Sequence, residues 1–407
     1  SDYWNPQVQE DIHVKALIGR YRIRGYGAGR PLPHLNDIAF KADLENADIP
    51  ADVVDRVAMR TRIGDKHGAK PLELSMPVMI APMSFGALSR SSKMALAIAS
   101  RLSGISENTG EGGMLEDERR EAKQLIFQCL SGRMGWNIHD MRRADGLEIY
   151  ISQGAKPGLG GQLMAKKVTK ELAEIRGIPE GIDLRSPSRH PDILGADDLV
   201  IKIEEFREAT SYKVPISVKL GAGRVRDDIK IAYKDGFDFV ELDGLQGSTG
   251  ASSSEVLEYV GIPTLSAIQE ALDALAEIGA AGQLPIVLMG GIKDGVDAAK
   301  ALALGANAVG IGSAAIIAGG CIACMQCHVG QCVTGIATQD PALRARLNVQ
   351  TGAERLARFF GASVQFMQVL ARACGHDSLA GFTPDDITSL KREIADLASI
   401  HYAGHSH

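Results

Sequence analysis

From residue 77 to residue 312, short apolar runs alternate with amphipathic stretches, and this alternation constrains the fold of the 407-residue chain more than any single motif. PVMIAPM (77–83) reads as a buried strand, and the SRSSKMALAIASRL that follows carries its apolar residues at helical spacing. GISEN, LEIYISQ (147–153), IDLRSP (182–187), VPISVKL (214–220), FDFVELDG (237–244), LPIVLMGG (284–291) and ANAVGIG (306–312) continue the series as strands. Helical patterns fall between most of them, in GQLMAKKVTKELAEIRG, ADDLVIKIEEFREATS, RVRDDIKIAYKDG, TLSAIQEALDALAEIG and DGVDAAKALALGA. Strands that are apolar throughout and separated by helices need a parallel sheet covered on both faces. Eight such units predict a closed (β/α)8 TIM barrel over 77–320, in line with the ~250 residues such a barrel takes. Residues 1–76 are then an N-terminal extension packing on the barrel, 321–340 a Cys-rich loop after the last strand, and 341–407 a C-terminal helical extension.

The charge balance excludes several classes of partner. Net charge is −6 and Lys/Arg residues do not cluster into long runs, so neither nucleic acid nor a membrane surface is expected. The start, SDYWNPQVQED, is polar, and no apolar run approaches the ~18 residues a membrane span needs. A cytoplasmic protein is expected.

Four of the six cysteines lie within twelve residues: Cys321, Cys324, Cys327 and Cys332 in GGCIACMQCHVGQCVTGIATQDP. Thiolates this close in sequence can converge on one compact inorganic core, whereas structural zinc usually joins two Cys-x-x-Cys knuckles across a longer loop. An iron–sulfur cluster is therefore expected, ahead of zinc or a redox disulfide, and its thiolate ligands need a reducing compartment. Cys129 and Cys374 read as buried small hydrophobes.

Barrel enzymes carry their chemistry on the loops at the carboxyl ends of the strands. Gly290 and Gly291 follow the seventh strand, and Gly312 and Ser313 the eighth, where exposed backbone N–H groups form a phosphate cup. Lys219 ends the fifth strand. A lysine at the end of a buried strand either pairs with a carboxylate such as Glu241 or Asp243 or faces an anionic ligand such as a reduced flavin.

PVMIAPMSFGALS (77–89), ENTGEGG (107–113), SQGAKPGLGGQL (152–163), GSTGAS (247–252) and GCIACMQCHVGQCVTGIATQDPALR (320–344) resemble, in order, the FMN-binding synthase domain of the glutamate synthase family. The likeness runs over roughly residues 60 to 345. It implies a flavin barrel with a [3Fe-4S] cluster on Cys321, Cys327 and Cys332, acting on 2-iminoglutarate derived from 2-oxoglutarate and ammonia. Glu111 and Lys156 match the family's active-site acid and lysine, which join Lys219 as catalytic candidates, and Gln162 and Arg176 match positions that hold the dicarboxylate. Pro82, Met83, Ser84, Gly132, Arg133 and Gln153 match flavin ring and ribityl positions, with Gly290, Gly291, Gly312 and Ser313 at the phosphate.

Departures from the family pattern refine the expectation. Cys324 adds a fourth thiol and makes a [4Fe-4S] cluster the alternative. The sequence shows no glutamine-hydrolysing nucleophile domain, no glycine-repeat β-helix and no electron-input module, so amidotransferase-like and β-helix-like companion subunits in a hetero-oligomer are expected. N-methylglutamate synthases have a flavin subunit that resembles this domain alone, which implies glutamate and methylamine as substrates of a redox-neutral cycle. The alternatives are the synthase subunit of a split glutamate synthase with an external electron donor, and a non-catalytic cluster-bearing scaffold. The C-terminal RARLNVQTGAERLARFFGASVQFMQVLARACG predicts amphipathic helices, FTPDDITSLKREIADLASI a helix capped at Thr-Pro-Asp, and HYAGHSH a polar end rather than a metal site.

Overall fold

A computed structural model describes residues 4–43 and 56–403. Its centre is a closed barrel of eight parallel strands: β1 (Val78–Ile80), β2 (Ser106–Asn108), β3 (Gln124–Cys129), β4 (Gly146–Tyr150), β5 (Ile216–Gly221), β6 (Phe239–Asp243), β7 (Ile286–Met289) and β8 (Ala308–Ile311). The strands pair in chain order and β8 closes onto β1, with Val309 opposite Val78. Each is followed by a helix: α1 (Arg90–Ser103), α2 (Glu116–Glu121), α3 (Ile138–Arg143), α4 (Ala196–Ala209), α5 (Val225–Asp235), α6 (Thr264–Glu277), α7 (Gly295–Ala303) and α8 (Ser313–Ala318). The first begins at Ser89, whose hydroxyl accepts from the Ser92 N–H, and α7 begins at Asp294, which caps Val296 and Asp297.

Alternation along each strand divides two cores. Met79, Ile126, Phe239, Val287 and Met289 point inward, while residues such as Val78, Val240 and Leu288 face the helices. The inner core is closed from below by a hairpin, Thr61–Ile63 with Leu72–Leu74, which inserts Ile63, Leu72 and Leu74. A long helix, α9 (Val349–Ala373), packs along α1, α7 and α8.

Three elements differ from the sequence reading. The stretch 182–187 is no barrel strand: only Leu184–Arg185 pairs, antiparallel with Gln162–Leu163 outside the barrel. With Asp183 and Arg185 in it, the run has too little apolar surface for a strand buried on both faces. The third strand is instead β3, every residue of which is buried although Gln124 and Gln128 interrupt its apolar run. The helical pattern of 161–177 breaks into that short strand, a 3-10 turn at Ala165–Lys167 and a helix only from Lys170 to Arg176. Thr383 caps a single 3-10 turn leading into a strand, Ile387–Ser389, and the helix begins only at Arg392. Cys129 and Cys374 are buried, and His405 and His407 lie outside the described residues.

Candidate functional site

The carboxyl ends of the strands surround a cavity of about 650 Å³. Pro82, Met83 and Ser84 of the loop after β1 form one wall, and Gly290, Gly291, Gly312 and Ser313 another. Gly290 (φ 99°) must be glycine, because a Cβ there would come within 2.8 Å of the Thr264 hydroxyl and 2.9 Å of the Gly244 backbone. The two glycine loops thus present bare backbone to the same cavity. Ser248 and Ser313 are hydrogen-bonded through their hydroxyls, and Gln153 donates to the Ser248 carbonyl at 3.3 Å.

Lys219 rises from the cavity floor, where it pairs with a carboxylate and also faces the open cavity. Its Nζ lies 3.6 Å from Asp243 Oδ2 and 3.0 Å from Met289 Sδ, and it lines the cavity. Burial alone would lower its pKa, but the charges of Asp243, Glu241 and Glu148 outweigh burial and raise it. Lys219 is therefore a fixed cation.

Glu111 follows β2 on a loop anchored from behind. Lys93 of α1, buried with its partners, meets Glu107 at 3.0 Å, Glu118 at 2.7 Å and the Asn108 carbonyl at 3.0 Å. Burial pushes the Glu107 carboxyl up to about 8 in spite of the lysine beside it. Gly161 is the neighbour that lets the Glu111 carboxylate in, since a Cβ there would sit 1.7 Å from Oε2. Across the cavity stands Lys156, 5% exposed, whose side chain makes no hydrogen bond or ion pair among the described residues. Burial lowers its pKa, and the charge of Glu111 only partly offsets this. A buried, unpaired ammonium is costly unless an anion joins it.

Gln162 also lines the cavity, whereas three other candidates do not. Arg176 is buried behind the Glu111 loop, where Nη2 donates to the carbonyls of Phe85 (2.8 Å) and Glu111 (3.2 Å). Gly132 and Arg133 lie in the loop after β3, and Arg133 pairs with Asp192 and stacks over Trp136 at 5.5 Å.

The cysteine loop reaches the same cavity through Cys327. Cys321 and Cys327 are partly buried, Cys332 is buried and Cys324 is exposed. Burial would raise the Cys332 thiol, but Thr334 and the backbone N–H groups of Ala337, Thr334 and Ile336 bring it below its usual value. Among the described residues no three cysteine sulfurs lie within 4.8 Å of one another, the closeness of ligands around one ion. Three thiols at least partly buried on one short loop are a donor set that a cluster could use. Tyr26 meets Cys321 Sγ at 3.2 Å, and it comes from Ile23–Tyr26, a strand paired with Thr249–Ser253.

Sequence reasoning missed Lys167, 3% exposed, whose Nζ ties the Ala87 carbonyl (2.8 Å) to that of Cys327 (3.3 Å). Its neighbour Lys166 gives the same local pattern, so only the burial distinguishes them.

Residues 39–377 match the conserved region of glutamate synthase. A glutamate synthase large subunit-like protein of Rhizobium meliloti (strain 1021) is 41% identical over 97% of this chain and 93% of its own length. An archaeal-type glutamate synthase [NADPH] of Thermotoga neapolitana is 42% identical over 77% of this chain, which spans 61% of that protein. Among solved structures, the flavin-binding domain of baker's yeast flavocytochrome b2 superposes with a TM-score of 0.55 at 17% identity, covering 94% of this chain and 83% of that one. That likeness concerns the barrel fold alone.

Proposed function

The chain belongs to the glutamate synthase family, and from that premise we propose that it is the FMN- and iron–sulfur-bearing subunit of an N-methylglutamate synthase, forming N-methylglutamate from glutamate and methylamine. The observation that carries the reading is the cavity itself, where Glu111, Lys156 and Lys219 meet two bare glycine loops. A scaffold without chemistry would have no use for a buried, unpaired lysine.

FMN fits the residues present: Gly290, Gly291, Gly312 and Ser313 would hold its phosphate, Pro82, Met83, Ser84 and Gln153 its ring and ribityl chain, and Lys219 the edge that becomes negative on reduction. The chemistry FMN would supply when bound is reversible hydride exchange with the substrate α-carbon. Lys156 would clamp a substrate carboxylate, with Gln162 beside it. Glu111 would remove the amine proton as the hydride leaves and return a proton at the end, so one group serves both directions. Between these steps methylamine replaces ammonia on 2-iminoglutarate, and the cycle is balanced without an external reductant. Arg176 would hold the Glu111 loop in place. Cys321, Cys327 and Cys332 would ligate a [3Fe-4S] cluster, a reading supported by the exposure of Cys324. Amidotransferase-like and β-helix-like subunits would complete a cytoplasmic hetero-oligomer; no helix among the described residues is long and apolar enough to cross a membrane.

A second reading is favoured by the archaeal-type relatives, described as NADPH glutamate synthases: reduction of 2-iminoglutarate to glutamate with electrons from outside. One experiment separates the two. Anaerobic glutamate should bleach the flavin of the complex, and 2-oxoglutarate with methylamine should restore its colour and yield N-methylglutamate. Failure of glutamate to reduce the flavin, with ready reduction by a low-potential donor, would replace the first reading with the second.

A further inference from the structure

Two carboxyl groups that the chemistry above leaves unused lie inside the barrel, one side-chain layer below the cavity floor. Glu148 of β4 is 0% exposed and Glu241 of β6 1%. Their strands flank β5, where Lys219 pairs in register with Glu241 and Ser217 with Glu148. Barrel interiors are normally filled by bulky apolar residues, as Met79, Ile126, Phe239 and Val287 do lower in this one. Gln128 of β3, which lines the cavity, donates through Nε2 to Glu148 Oε1. Glu148 Oε2 and both oxygens of Glu241 find no donor among the described residues, although the two carboxyl groups stand close enough to hydrogen-bond each other.

As two carboxylates they would only accept, leaving three buried oxygens unsatisfied and two like charges in contact. One proton between them makes one group a donor, which satisfies two of the three oxygens and removes the contact between like charges. The remaining charges facing the pair are Lys219 from β5 and Asp243 from β6; β3 offers only the Gln128 amide, β4 the Tyr150 phenol and β7 the Met289 thioether. Burial, followed by the charge of Glu148, holds the Glu241 carboxyl well above the usual carboxylate range.

We propose that Glu148 and Glu241 share a single proton and carry one negative charge between them, and that this charge, acting through Lys219, sets the reduction potential of the flavin. They are positioning residues, since Lys219 and Gln128 stand between them and the cavity. The second half rests on the FMN reading above. With one proton on the pair, the layer under the cavity sums to one negative charge, namely Lys219 against Asp243 and the pair. That charge opposes further electron density above it, and its removal favours the reduced cofactor.

Infrared spectroscopy of the flavin-free protein tests the proton. The difference spectrum between wild type and Glu241→Gln should show, at neutral pH, the C=O stretch of a buried protonated carboxyl that shifts in D2O, while the band of Glu107, common to both proteins, cancels. Absence of the band from that difference spectrum overturns the shared proton. Potentiometry of the FMN-loaded protein tests the consequence. Glu241→Gln keeps one negative charge on Glu148 and should leave the potential near that of wild type. The double variant Glu148→Gln/Glu241→Gln removes the charge and should raise the ratio of reduced to oxidised flavin, at fixed applied potential, by about tenfold or more. An unchanged ratio in the folded double variant overturns the effect on potential. A wild-type protein that takes up no FMN overturns the cofactor reading and the potential role with it, while the infrared band still decides the shared proton.

Discussion

Lys156 and Gly161 show how the cavity's chemistry depends on single positions. Because the Lys156 side chain has no hydrogen-bond or ion-pair partner among the described residues and burial lowers its pKa, it binds a carboxylate only while it keeps its proton. In kcat/KM for glutamate, which reports the free enzyme, activity should fall as pH rises through this lowered pKa, before the ordinary lysine range is reached. Lys156→Met should remove that alkaline limb and lower kcat/KM by the ~2–5 kcal/mol of a lost buried charge pair, with FMN retained. Gly161→Ala should act on Glu111, whose carboxylate occupies the space a Cβ would need. Turnover should drop by ~10²-fold or more, as for loss of a general base, with flavin and iron content unchanged; normal turnover would take Glu111 out of proton transfer. Glu111, Lys156 and Lys219 were legible because glycine-rich loop motifs or a strand end frame them. Glu148 was not, since LEIYISQ was read as an apolar strand buried on both faces, which gives its single glutamate no task.

The cysteine loop and β3 mark the limits of legibility among the elements. Spacing alone raised the expectation of a metal-binding loop, but only the fold separates Cys324, exposed, from Cys321, Cys327 and Cys332, which are at least partly buried. Serine at any of those three positions should abolish bound iron, and Cys324→Ser should keep an intact three-iron spectroscopic signal. Iron loss in the Cys324 variant would make all four thiols ligands of a cubane. The strand count of eight held through compensating errors. KQLIFQC was passed over because glutamines break its apolar run, yet Gln128 is needed inside as a donor to Glu148. IDLRSP was taken in its place, and its Asp183 and Arg185 belong to a surface excursion. Apolar continuity identifies a barrel strand only where its inward residues have no polar task.

At the scale of the whole molecule, the barrel's cavity depends on a helix from outside the repeating units. α9 lies across the helices that flank the β8–β1 seam: Gly295, the first residue of α7, approaches it so closely that a Cβ would sit 2.0 Å from the Ser363 carbonyl. Gly352 of α9 similarly faces Ala95 of α1. Its amphipathic pattern was legible in the sequence, but the surface it covers was not, because nothing in a helical period names the partner face. Two adjacent residues divide its roles, with Phe360 fully buried in the outer core and Phe359 on the cavity wall. Phe360→Ala should therefore have two linked effects. The cavity left in the core should lower stability by ~3–5 kcal/mol, read as a lower urea midpoint at an unchanged m value. Loosening α9 should also withdraw Phe359 from the wall and free the α7 and α8 ends of the two glycine loops, so FMN should dissociate faster than from wild type. Phe359→Ala, which leaves the core intact, should speed FMN loss with a much smaller change in the urea midpoint. Equal FMN retention in both variants would mean that α9 supports the barrel without shaping its mouth.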